Sequence, residues 1–122
     1  MIDTSAWIEF LRATGSPSHL EVRSLLDQGE AAWCDMVQLE LRNGGDAPQA
    51  RTLERITPLV WMFAIDDRIW DAAKKLAVRA RAAGVTAPAA DVLISACARS
   101  FDLKVLHHGD THFHDLATID LS

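Results

Sequence analysis

A chain of 122 residues, 49% of them hydrophobic, can bury one proper core and is too short for two, so a single domain over 1–122 is expected. The formal charge of −5 argues against a protein that grips nucleic acid by bulk positive charge. No apolar run is long enough to span a bilayer and no charged segment precedes an apolar stretch at the start, so no membrane association is expected and the cytoplasm is the expected location. The two cysteines, Cys34 and Cys97, lack metal or redox spacing and sit in apolar contexts, as buried reduced thiols do.

In chain order, Met1-Ile2 is a short extended piece ending at Asp3, and TSAWIEFLRA follows as a helix capped by Thr4 or Ser5. SHLEVRSLLDQG predicts a second helix, with a capping box from Ser18 to Glu21 and Gly29 as its stop. AAWC, residues 31–34, is a short apolar strand that leads into the helix DMVQLELRNGG. A further helix runs from Ala47 to Ile56, and the apolar stretch PLVWMF beyond it is either buried or a partner surface. The longest helix covers Asp67 to Ala83, with Ile69, Trp70, Ala73, Leu76, Ala77 and Ala80 spaced for one buried face. DVLISACARS is apolar nearly all round and therefore central, LKVLH reads as a strand, and LATIDLS as a last strand. Strands separated by helices predict an α/β domain, its sheet mostly parallel and about four to five strands wide, with helices on its faces.

Ligands of open parallel sheets bind beyond the carboxyl ends of the strands. Asp3 ends the first strand, Asp110 follows LKVLH, and Asp91 opens the central helix at the same edge. Glu40 lies inside the helix after AAWC, between Leu39 and Leu41. Each acid has a structural alternative: Asp91 as a helix cap, Glu40 as a solvated helix residue, Asp3 and Asp110 as turn residues. The segment HHGDTHFHD, 107–115, packs four histidines and two aspartates together, which suits either a soft-metal imidazole site or a single working carboxylate. No pair among His107, His108, His112 and His114 has metal spacing on a clear helix, which weakens the imidazole reading without deciding the question.

The pieces IDTSAW, Glu40 within VQLELRNG, APAADVLISACA and VLHHGDTHF resemble the PIN domain, and more narrowly the toxin nucleases of VapBC-type toxin–antitoxin pairs. The resemblance covers essentially the whole chain and implies a PIN-like three-layer α/β fold. It implies an endoribonuclease that hydrolyses RNA phosphodiester bonds with Mg2+ or Mn2+, which Asp3, Glu40, Asp91 and Asp110 hold as an acidic quartet. It further implies that Ser5 supports the first aspartate through its hydroxyl, and that His112 stands behind the ligands where many members carry an acid. The implied partners are an antitoxin protein and RNA, in a homodimer or a toxin–antitoxin hetero-oligomer. Hard cations favour such oxygen ligands, and four metal-binding acids account for four of the five net negative charges. The acidic balance then no longer counts against RNA.

Arg12, Arg42 and Arg99 lie on elements toward the acidic end and are candidates for RNA backbone contacts. One departure from the family is that only Met1 and Ile2 precede Asp3, which shortens the first strand. The rival reading is a catalytically silent partner-binding α/β module whose acids merely cap helices. A phospho-acceptor receiver domain fits less well, because Lys104 opens its strand instead of closing it.

Overall fold

The computed structural model describes residues 1–122. In chain order the elements are α1 (Thr4–Leu11), α2 (Pro17–Asp27), β1 (Ala32–Cys34), α3 (Asp35–Asn43), α4 (Ala47–Ile56), a 3-10 turn (Thr57–Leu59), β2 (Trp61–Phe63), α5 (Asp67–Ala82), α6 (Ala89–Ser100) and α7 (His112–Ala117). The expected α/β architecture holds, with helices flanking a small parallel sheet.

The sheet is narrower in its regular part than the sequence suggests. β1 and β2 form a parallel ladder with Ala32 opposite Trp61 and Cys34 opposite Phe63. On the other side of β1, the Ile2 amide donates to the Ala32 carbonyl at 2.8 Å, and Ile2 makes an isolated parallel bridge with Leu106. The lateral order is thus Leu106, Ile2, β1, β2. LKVLH contributes one bridge residue, Leu106, and no ladder. The expected last strand LATIDLS is absent. Leu116 and Ala117 belong to α7, and Lys75 and Arg79 of α5 hold the final residues through the carbonyls of Leu121, Asp120 and Ser122.

Two helix caps differ from the sequence reading. Asp3 caps α1, accepting from the Ser5 amide, in place of Thr4 or Ser5. Ser16 caps α2 ahead of Pro17, so Ser18 makes no capping box. This follows from the fixed φ of proline, which suits the first helical position. Asp66 caps α5.

A cluster of 26 buried residues joins both sides of the sheet. Trp7 of α1 and Trp33 of β1 are fully buried with ring centroids 5.0 Å apart. All three residues of β1 are buried, as expected for a strand covered on both faces. On α5 the buried stripe is Ile69, Ala73, Leu76 and Ala80, whereas Trp70 and Ala77 are exposed, so the apolar face is narrower than the spacing implied. α6 is buried from Asp91 through Ala98, in keeping with its apolar sequence. Trp61 and Met62 of β2 are exposed, which resolves PLVWMF as a surface edge. No helix is long and apolar enough to cross a membrane.

Candidate metal centre at the sheet edge

The strand order reverses between Ile2 and Leu106, since Leu106 comes last in the chain yet lies beside the first stretch. Such switch points open a crevice at the carboxyl ends. Asp3 leaves that crevice on one side and the loop 107–111 on the other. The Asp3 amide donates to the Leu106 carbonyl at 2.8 Å, which fixes the two sides together.

Asp91 sits at the third residue of α6. The helix start is Pro88, which offers no side-chain cap bond, and Asp91 makes no bond to the helix amides. The plain capping role is therefore excluded by geometry. The residue is 9% exposed and its carboxylate turns toward Asp110 and His112. One ligand atom from each of Asp91, Asp110 and His112 lies within 4.8 Å of the others. His112 Nδ1 stands 2.8 Å from Asp110 Oδ1 and 3.3 Å from Asp91 Oδ2. His112 thus meets both carboxylates directly, as a group that orients ligating carboxylates from behind does, and its Nδ1 is also near enough to serve as a donor itself. Its place at the first residue of α7, where Asp110 Oδ1 accepts from the His112 amide at 2.9 Å, folds the imidazole back onto the carboxylate.

Asp3 is 3% exposed. Ser5 donates to Asp3 Oδ2 from its hydroxyl at 2.6 Å and from its amide at 3.0 Å. The same hydroxyl accepts from the His108 amide at 2.9 Å, so it ties the aspartate to the loop that carries Asp110. Glu40 comes to the site by a different route. It is half-buried on α3, and Thr4 donates to its Oε1 at 2.7 Å, which brings it alongside the start of α1. It stands outside the tight group of Asp91, Asp110 and His112.

The electrostatics are strained. Burial first, then the hydrogen bond with Asp110 and the charges of Asp110 and Asp3, push the Asp91 carboxyl from its ordinary 3.8 up to about 7, with His112 opposing. Burial also raises Asp110, but the hydrogen bonds from Asp91 and from the His112 amide outweigh it and hold that carboxyl below its usual range. Like charges that cannot all ionise together share a proton, or accept a cation in its place. The donor set is oxygen-rich with one imidazole, and it fits a divalent cation of the harder kind.

Three contacts are not readable from the sequence. Thr4 serves Glu40 as well as following the first aspartate, and a hydroxyl next to a candidate ligand was its only signal. His108 meets Glu9 of α1 at 3.4 Å and Ser18 of α2 at 2.9 Å, linkages that no spacing reveals. Of the three arginines, Arg12 is exposed and lines the same groove as Glu40, and Arg42 is exposed and bonded to Gln38. Arg99 is at the opposite end of α6 from Asp91 and donates to the Leu116 carbonyl at 3.1 Å. Its expected place near the acids is corrected: eight residues of helix separate the two by about 12 Å.

Residues 1–119, which include this whole edge, match the family described as the PIN domain. The chain is 38% identical over 124 aligned positions to the VapC ribonuclease Mb1587 of Mycobacterium bovis and to the ribonuclease VapC11 of Mycobacterium tuberculosis. Each alignment covers 98% of this chain and 92% of the relative.

Proposed function

The chain belongs to the PIN domain family, and from that premise we propose that it is a metal-dependent endoribonuclease, the toxin of a VapBC-type toxin–antitoxin pair. The observation that carries this reading is the crowding of Asp91 against Asp110 and Asp3 at the carboxyl edge, where burial and mutual repulsion leave a proton in the place of a cation. Its relatives' names carry the substrate class, RNA.

In this reading Asp3, Glu40, Asp91 and Asp110 hold Mg2+ or Mn2+. These carboxylates would hold the cation, which when bound would supply Lewis-acid activation of water and charge neutralisation for phosphodiester hydrolysis. Ser5 holds Asp3 Oδ2 through its hydroxyl and amide, which fixes the orientation of the carboxylate and leaves Oδ1 for a cation. The His108 amide anchors the loop of Asp110 to that same hydroxyl. His112 brings one imidazole among the carboxylates, which suits Mn2+ better than Mg2+. Arg12 and Arg42, on exposed faces of α1 and α3 near Glu40, are the candidate contacts to the RNA backbone.

The partner is a cognate antitoxin protein, in a toxin–antitoxin hetero-oligomer or beside a toxin homodimer. A groove lined by Ile8, Leu11, Arg12, Glu40, Leu41 and Leu53 offers an apolar seat that opens directly onto Glu40. A partner seated there would reach the carboxylates and block them.

Cleavage of a structured RNA by the purified chain, with Mg2+, with Mn2+ and with a chelator, tests the reading. Cleavage that needs the cation and disappears in Asp110→Asn supports it. Persistent cleavage in chelator, or none with either cation, contradicts it.

A further inference from the structure

The sheet ends on one side at the extended stretch 103–107, and that side is open. Leu106 turns both its peptide groups inward, donating to the Met1 carbonyl and accepting from the Asp3 amide at 2.8 Å each. The Lys104 carbonyl accepts from the Met1 amine at 3.2 Å on the same side. Peptide groups alternate along an extended chain, so Val105 and His107 turn theirs outward. Neither the Val105 amide and carbonyl nor the His107 amide has a backbone partner.

Outside this edge, between α6 and α7, runs a cleft of about 370 Å3. Val105, Leu103, Phe113 and Ala117 give it apolar walls, while Arg99, Lys104, His107 and His114 supply basic groups and no aspartate or glutamate lines it. His107 stacks on Phe113 with centroids 5.6 Å apart, and its buried Nδ1 has no hydrogen-bond partner.

We propose that this edge receives an extended acidic segment of a partner protein, which adds a strand beside 105–107 and sets its carboxylates against Lys104, His114 and Arg99. Strand addition of this kind draws affinity from main-chain bonds and selectivity from the flanking side chains. The Leu103 amide already donates to the Ala98 carbonyl at 2.8 Å, so the free edge is the stretch 105–107, about 10 Å long, enough for a short added strand. A lysine on an edge deters neutral and basic strands, so here it selects an acidic one. A nucleic-acid backbone would answer the basic groups but has no N–H repeat for the outward Val105 carbonyl. That asymmetry favours a peptide. The inference stands apart from the nuclease reading, because none of these residues belongs to the carboxylate cluster.

The test titrates the full chain, isotopically labelled, with the peptide acetyl-Glu-Val-Glu-Val-Glu-amide, with its lysine counterpart and with a short RNA. Only the acidic peptide should perturb the Val105 and His107 amides and slow their hydrogen exchange. Lys104→Glu and His114→Glu should each weaken its binding about fivefold, as loss and reversal of an exposed charge contact does. Both positions are exposed, so both variants should keep the parent melting temperature. Equal binding of both peptides, binding unaffected by both charge reversals, or no change at those two amides would overturn the proposal. RNA perturbing those amides when the acidic peptide does not would make the cleft a nucleic-acid surface instead.

Discussion

Around Trp7, Trp33, Leu76 and Ile94, apolar side chains meet apolar side chains and nothing repels; a few residues away, at the carboxyl edge, Asp3 and Asp91 are almost as deeply buried but face other acids. The first region follows from the hydrophobic effect alone. The second gains nothing from burial, since taking carboxylates out of water is costly unless something of opposite charge joins them. The difference teaches that depth of burial means opposite things in the two places. In the core it stabilises, and at the edge it creates a demand that a cation would meet.

Substitutions that exchange these roles should separate the regions. The largest expected effect is on cleavage. Asp110→Asn removes an anionic donor from the edge and should lower RNA cleavage about a thousandfold or more, corresponding to several kcal/mol of lost charge stabilisation. Metal-free stability should barely move. Single-turnover cleavage beside thermal unfolding checks both. Ile94→Ala should do the reverse, costing about 2–5 kcal/mol of stability through the cavity it leaves in a fully buried site. At a temperature where the variant stays folded, cleavage per folded molecule should be retained. A denaturant titration with activity corrected for the folded fraction measures it, and an equal loss in both quantities would erase the distinction.

A smaller effect concerns pH. With Asp91 held near 7 in the metal-free fold against an ordinary 3.8, the folded chain keeps a proton that the unfolded chain has lost between those values. Asp91 should therefore make stability without metal fall as pH rises from about 4 toward 7; below about 4 its contribution is constant, and the depressed Asp110 carboxyl makes stability fall again with acid. Saturating Mn2+ should flatten the fall with rising pH, and chemical denaturation across the range reads it. The smallest effect is His114→Ala, which should leave cleavage within about an order of magnitude, because this exposed imidazole on α7 faces away from the cluster.

The core and the edge also differed in how far the sequence revealed them. α5 is legible because burial repeats every turn, α6 because its sequence is apolar nearly all round, and β1 as an apolar run. What periodicity does not carry was misread. The cap of α2 lay two residues earlier than expected because Pro17 fixes the first turn. LATIDLS has the composition of a strand, yet Thr111 to Ala117 close onto α6 as a helix and the tail is held by Lys75 and Arg79, which are distant in sequence. At the site, the placement of Asp3, Asp91 and Asp110 at one edge followed from strand ends and helix starts. The direct contact of His112 with two carboxylates did not, because it depends on a helix beginning at that residue. Arg99 was misplaced for a related reason: a helix carries its two ends to opposite sides of the sheet.

The claim on which the account rests is that Asp91 is buried at the edge to meet a cation. Thermal unfolding of the wild-type chain and of Asp91→Asn, each with and without Mg2+ or Mn2+, tests it most directly. Removing one acid from a repelling group should leave the metal-free melting temperature of Asp91→Asn equal to the wild type's or higher. Wild type should then gain several degrees on adding the cation, by ordinary linkage of binding to folding, while the variant gains little. An Asp91→Asn chain that shows the full wild-type cation shift would contradict the account.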